Sequence, residues 1–212
     1  MKPFETLETP AIVLALANVD TDQLLPARFM KRPRAEGYGP FLLHDLRRDA
    51  TGAPRGNPLD DPRLAGAAVM VARRNFGCGS SREAAVYALL DFGVRCVVAP
   101  SFGDIFASNA VKNGLLPARI SEADAEALLA SPVVANGGAV RVDLAAQTIS
   151  VGNLVAPFVI DPVWKTQLLN GWDDIDLTLA EQPNIDLFTA RDAKARPWAT
   201  PVEGESARPS TV

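Results

Sequence analysis

The sequence predicts an α/β fold: a mixed sheet whose central strands run parallel, with helices between them. Three observations carry that expectation. Short apolar runs, within "AAVMVARR" and "VRCVVAPSF", read as strands buried on both faces, because a strand with one wet face alternates polar and apolar residues. Each run precedes a helical stretch, "SSREAAVYALLDFG" stopping at Gly93 and "GDIFASNAVKNG" stopping at Gly114. Strand, helix, strand, helix is the order that parallel pairing needs, since a crossover must return the chain to the end where it started.

The remaining elements follow in chain order. Ala11 to Leu16 reads as a strand that ends in the Asn/Asp/Thr turn from Asn18 to Asp22. From Lys31 to Pro62 the chain is rich in Pro, Gly, Arg and Asp, with one short apolar patch at Phe41 to Leu43, which predicts a long surface loop. After the two strand–helix units, Ser121 opens a third helix with acidic residues in its first turn. Alternation on either side of Ala145-Ala146-Gln147 predicts a hairpin of 139–144 with 148–151. Helical stretches follow Asp161-Pro162, near 163–170, 173–181 and 185–195. We expect one domain over 1–195, no internal repeat, and a mobile tail at 196–212 rich in Pro, Ser and Thr.

Composition narrows the function. At 212 residues with a net charge of -4, the chain is long enough for a sizeable core and too acidic for a nucleic-acid surface. The one basic cluster, "RFMKRPRAE", could meet a small anion or be a solvated loop. No apolar run approaches a membrane span, and "MKPFETLETP" lacks the apolar core of a signal peptide, so a cytoplasmic place is expected. Cys78 and Cys96 are expected to be reduced thiols with no disulfide between them, Cys96 within a buried strand.

Chemistry concentrates in "NFGCGSSRE". Gly77 and Gly79 stand where the backbone must turn sharply, and Ser80 or Ser81 can cap the helix beginning near Arg82. Backbone N–H groups at such an entrance make an anion site, and Arg82 can hold a carboxylate through two parallel hydrogen bonds. An acidic substrate fits; a structural cap with surface Arg82 and Glu83 is the plainer alternative. A nucleotide-binding loop does not fit, because Ser80-Ser81-Arg82 follows the last glycine where Lys and Ser or Thr are required. A stand-alone serine hydrolase is poor as well: His44 is the only histidine, and no nucleophile elbow surrounds Ser80. His44 has no second ligand at metal spacing, so it reads as a loop or interface residue and no metal site is expected. Two distant cysteines are too few for an iron–sulfur cluster, which would have to come from a partner.

"NFGCGSSRE", followed by "LLDFGVRCVVAPSFGDIFASNAVKNGLLP" and preceded by "NVDTDQLLPARF", resembles the small subunit of 3-isopropylmalate dehydratase, which is similar to the C-terminal domain of aconitase. The likeness runs in order from about Thr9 to beyond Leu179. It implies a three-layer, swivelling β/β/α domain that closes over a separate large subunit carrying a 4Fe–4S cluster. It implies dehydration and rehydration of 2-isopropylmalate, a step of leucine synthesis. By position Ser80 would be the base that takes the carbon-bound proton, Arg82 would bind a substrate carboxylate, and Ser81 would add a hydrogen bond. Segment 31–62 would read the substrate side chain, with Arg34 a displaced counterpart of the family's arginine; in the lone subunit we expect it to be mobile. Two departures are legible. Ala84 stands where the family has histidine, which leaves open another small 2-hydroxy diacid, such as a methylmalate or dimethylmalate, or a non-catalytic regulatory subunit. Cys78 stands where aconitases tend to have Glu and is read as a packing residue.

Overall fold

The computed structural model describes residues 1–199, so most of the expected mobile tail lies outside the described residues. In chain order the elements are β1 (Thr6–Leu14), α1 (Thr21–Leu24), α2 (His44–Arg47), β2 (Val69–Ala72), α3 (Glu83–Phe92), β3 (Cys96–Ala99), α4 (Asp104–Lys112) and β4 (Leu116–Arg119). They continue with α5 (Glu122–Leu129), α6 (Pro132–Ala135), β5 (Ala139–Asp143), β6 (Thr148–Val151), β7 (Leu154–Pro157), α7 (Pro162–Asn170), α8 (Asp174–Ala180) and α9 (Gln182–Ala195).

The strands form one seven-stranded sheet in the order β4-β3-β2-β1-β5-β6-β7. β1 joins its two halves. Its second half, Ala11 to Leu14, pairs parallel with β2, while Thr6 to Pro10 pairs antiparallel with β5. The ladder changes partner at Pro10, which has no N–H to donate. Thr9 bridges the gap, its Oγ1 accepting the Ala68 N–H at 2.9 Å. Proline had made the strand seem to begin at Ala11, and the side-chain acceptor is why it begins at Thr6 instead. β4 and β7 were not foreseen; both are edge strands, where Pro117 and Pro157 are tolerated because one side of the backbone has no ladder to complete.

Period-2 alternation divides the core between the two faces of the sheet. Ile12, Leu14, Met70, Ala72, Val97 and Ala99 face one way, against Ala85, Val86, Ala88 and Leu89 of α3. Ala11, Val69, Val71, Cys96 and Val98 face the other, against Ala125 and Leu128 of α5, Leu168 of α7 and the inward residues of β5 and β6. Each fully buried aliphatic side chain contributes about 2 kcal/mol. Layers on both faces of a mixed sheet are the expected α/β class.

Segment 31–62 departs from the expected surface loop. It is a chain of short helical turns that buries Tyr38, Leu42, Leu43 and Leu59. The patch at Phe41 to Leu43 enters the core, and an ion-pair cluster ties the ends together. Arg47 is buried and donates to Asp60 at 2.7 Å and to the Leu42 carbonyl at 3.1 Å, and Arg48 reaches Asp60 at 3.0 Å. Charged residues that read as solvated are here the internal ties.

The chain groups into two compact units, Met1–Asp173 and one from Asp174 onward. Neither α8 nor α9 has a buried residue, and apolar side chains such as Leu187 and Phe188 are exposed.

Candidate active site at the start of α3

The site is built where three loops meet at the C-terminal ends of β1, β2 and β3. This is the edge at which open α/β sheets place ligands. The loop after β2 is stitched to the loop after β1 by Gly77 N–H to Val19 O (2.7 Å) and Thr21 N–H to Cys78 O (2.9 Å). It is stitched to the loop after β3 by Phe76 N–H to Ser101 O (3.0 Å) and Gly103 N–H to Phe76 O (2.9 Å).

Glycine is required at two of these points. Gly77 has φ 72°, and a Cβ there would lie 2.1 Å from the Phe106 ring. Gly103 packs on the Gly77 carbonyl, where a Cβ would come within 2.6 Å of the oxygen. Gly79 turns the chain at φ 91° and presents Ser80 and Ser81, both exposed.

The expectation that a serine caps α3 is not met. Arg82 is the N-cap residue, and no side chain caps the first turn. Ser80 and Ser81 stand ahead of the helix with their hydroxyls uncommitted to it; of the first-turn N–H groups of α3, Ala85 bonds the Arg82 carbonyl at 3.1 Å, and those of Glu83 and Ala84 have no acceptor among the described residues. α4, entered through Gly103, also lacks a side-chain cap. Its first turn and the loop line a cleft of about 190 Å³, formed by Gly77, Cys78, Gly79, Ser80, Gly103, Asp104, Ile105 and Phe106. A neighbouring cavity of about 630 Å³ shares Asp104, but its walls include Phe102, Pro117, Ile160 and Trp164 and none of the predicted residues. The smaller cleft is the one lined by the predicted residues Gly77, Gly79 and Ser80.

Arg82 pairs with Asp22 of α1 through Nη1, a contact the sequence reading missed. Among the described residues its Nε and Nη2 have no acceptor, so the guanidinium keeps a fork for a second carboxylate. Asp22 belongs to "NVDTD", which had read only as a turn; in the structure Asp20 closes a capping box with Gln23 at 2.7 and 3.0 Å.

Arg34 is not brought to this group. Both of its terminal nitrogens bond Asp91 near the end of α3, at 2.7 and 3.0 Å, and its guanidinium lies 4.5 Å from the Tyr87 ring centre. Asp91 also accepts the Tyr38 N–H at 2.7 Å, and Gly39 packs so closely on the Asp91 backbone that a Cβ would sit 2.7 Å from its carbonyl carbon. Gly37-Tyr38-Gly39 therefore wraps a carboxylate of its own chain.

Cys78 is half-buried with its carbonyl bonded to Thr21, and Cys96 is fully buried in β3, where burial raises its thiol pKa above the usual range. Among the described residues no group of three or more His, Cys, Asp or Glu could hold a metal ion. His44 rests on Phe29, ring centres 4.8 Å apart, with Nδ1 3.0 Å from Asp45.

With this geometry in view, comparison with known proteins becomes informative. A model of the aconitase C-terminal domain matches residues 1–123. The 3-isopropylmalate dehydratase small subunit of Rhodospirillum centenum is 45% identical over 202 residues, covering 94% of this chain and 99% of that protein. The chain belongs to this small-subunit family. A second member, the 3-isopropylmalate dehydratase small subunit of Shouchella clausii, is 42% identical over 91% of this chain and 98% of that one. Among solved structures, 3-isopropylmalate dehydratase from Methanocaldococcus jannaschii superposes with a TM-score of 0.62 over 87% of this chain and 99% of the other, at 24% identity, and shares its fold.

Proposed function

We propose that this chain is the small subunit of a cytoplasmic 3-isopropylmalate dehydratase of leucine synthesis, active only with a large subunit. The observation that carries the proposal is the exposed Ser80-Ser81 pair ahead of an uncapped helix start, with Arg82 offering a free fork. Near full-length likeness to proteins named as small subunits supports the partner. For the soluble compartment the support is that, among the described residues, no helix is long and apolar enough to cross a membrane.

The geometry supports the following division of labour, which the family resemblance implies. Arg82 binds a substrate carboxylate through its open nitrogens, with Ser81 adding a hydrogen bond, and the turn made by Gly77 and Gly79 aims backbone donors at the same anion. Ser80, as the alkoxide, takes a proton from C3 of 2-isopropylmalate. The C–H pair becomes the C2=C3 bond as hydroxide leaves C2, giving the unsaturated diacid with the proton held on Ser80 and the hydroxide released, together the elements of water. Hydration returns a proton from Ser80 to C2 and places hydroxide on C3. A serine hydroxyl is a weak acid, so the alkoxide needs the helix N-terminus and preorganised N–H donors. A 4Fe–4S cluster, which the family likeness assigns to the large subunit, would supply Lewis-acid assistance to the departing hydroxide; among the described residues no group of three or more His, Cys, Asp or Glu could hold a metal ion.

A second reading keeps the same machinery on another 2-hydroxy diacid. It is favoured by Ala84 in place of the family histidine and by Arg34 being tied to Asp91. One experiment addresses both: anaerobic assembly with the large subunit from the same genome, then ultraviolet detection of unsaturated diacid from 2-isopropylmalate, 2-methylmalate and 2,3-dimethylmalate. The primary reading requires isopropylmalate to be preferred, and requires Ser80→Ala to lower kcat by roughly 10²- to 10⁴-fold, the usual worth of a general base. Full turnover by Ser80→Ala would sink the catalytic assignment.

A further inference from the structure

Thr21, in the stretch "NVDTD", is one of three polar or charged side chains buried among the described residues, at 2% exposure. Unlike Arg47, which ties one segment to itself, it reaches across 59 positions: its Oγ1 donates to the Ser80 carbonyl at 2.8 Å. The same carbonyl accepts the Arg82 N–H at 2.8 Å, so both of its lone pairs are taken on the protein side.

The peptide bond converts that into a statement about the open side. No peptide bond here is cis, and in a planar trans peptide the N–H points opposite to the carbonyl. Pinning the Ser80 carbonyl inward therefore aims the Ser81 N–H outward, to the side where the Ser80 and Ser81 side chains are exposed. Among the described residues that N–H has no protein acceptor. Arg82's own N–H is already taken, while the Ser81 N–H, like that of Ser80, has no protein acceptor among the described residues and is open to an anion there.

We infer that Thr21 is a positioning residue for the reaction: its hydroxyl orients the Ser80–Ser81 peptide so that the Ser81 N–H stabilises negative charge at the serine pair. Thr21 does not touch substrate. It fixes a plane, and the neighbouring bonds support that plane: Thr21 N–H to Cys78 O at 2.9 Å, and Asn75 Nδ2 to Asn18 Oδ1 at 2.9 Å, the latter between two residues in the left-handed region at φ 60° and 55°. "NVDTD" is thus the brace of the catalytic loop rather than a plain turn.

This rests on the assignment of Ser80 as base, and the test separates the two. In the assembled holoenzyme, Thr21→Val keeps the shape and removes the hydroxyl, while Thr21→Ser restores it. We expect Thr21→Val to lose roughly 10- to 100-fold in kcat, as removal of an outer orienting partner does elsewhere, with little change in KM. The rising limb of kcat against pH should move to higher pH, since the alkoxide is less well stabilised. Thr21→Ser should recover both rate and pH profile. Complex formation and the melting temperature control for folding; if Thr21→Val does not assemble, Thr21→Ser against Thr21→Ala gives the same comparison. Wild-type kcat in a hydroxyl-free variant, where Ser80→Ala is dead, overturns the inference. A rate loss with an unmoved pH profile and no rescue by serine also overturns it, because that is a loss of active molecules. An active Ser80→Ala enzyme removes the base assignment itself, and the role of Thr21 falls with it.

Discussion

At the scale of single residues, the site depends on atoms that are missing as much as on those present. Gly77 must lack a Cβ because Phe106 occupies its place, with the nearest ring atom 2.1 Å away, and must adopt φ 72° as well. Gly77→Ala is therefore expected to displace the loop from the α4 entrance and cost about 3 kcal/mol of stability, within the range for overpacking combined with backbone strain, seen as a lowered urea midpoint. Arg82 differs in kind: Asp22 takes one end of its guanidinium, and in the proposed function the open nitrogens meet substrate. Arg82→Lys keeps the charge and loses the second parallel bond, so we expect KM to rise about tenfold or more with the fold intact. Steady-state kinetics against circular dichroism checks both halves. The pairing of Gly77 with Phe106 was not legible, because nothing in either residue's neighbourhood announces a partner 29 positions away.

At the scale of elements, segment 31–62 shows what charge hides. A run of Arg, Asp, Pro and Gly reads as loop by composition, yet Arg47 and Asp60 make a tie at 2.7 Å with side-chain exposures of 9% and 18%. Removing one partner of such a pair strands the other: Asp60→Ala is expected to cost about 3 kcal/mol, where an exposed pair would cost a few tenths. The pH dependence has a definite sign. Hydrogen bonds from Arg47, opposed by burial, hold the Asp60 carboxyl below its usual value. The folded state therefore binds that proton less readily than the unfolded chain does. Its stabilisation is complete above the unfolded carboxylate pKa, about 4, and is lost as pH falls through the depressed folded value. Urea titrations from pH 6 to 3 should show a shallower acid loss in Asp60→Ala than in the wild type. The same logic makes Asp91 the clasp of Arg34 and Tyr38: Asp91→Ala should expose the 34–41 stretch to proteolysis while α3 persists.

At the scale of the whole molecule, both apolar clusters lie within Met1–Asp173, and α8 and α9 bury nothing. Residues 1–173 alone are expected to unfold cooperatively within a few degrees of the full chain, since that unit contains the buried surface on which stability depends; a broad, non-cooperative melt would show that the C-terminal helices complete the core. Much of this architecture was legible. Apolar runs marked β2 and β3, Gly93 and Gly114 marked the helix stops, and alternation around Ala145 marked the β5–β6 hairpin, because each depends on contacts within a dozen residues. "GCGSSRE" likewise pointed to an anion site, since glycine, serine and arginine act there through local backbone geometry. What lay beyond local pattern depended on partners distant in sequence. Pro10 sits inside a strand where the ladder changes partner and Thr9 Oγ1 accepts the Ala68 N–H, Ser80 is held by Thr21 across 59 residues, and Arg34 faces Asp91 across 57. The sequence by itself determined the parallel core and the glycines, serines and arginine of the loop; only the tertiary structure decided which carboxylate of the chain Arg34, Arg47 and Arg82 each meet and that the Thr21 hydroxyl holds the Ser80 carbonyl, because a hydrogen-bond partner is chosen by proximity in space.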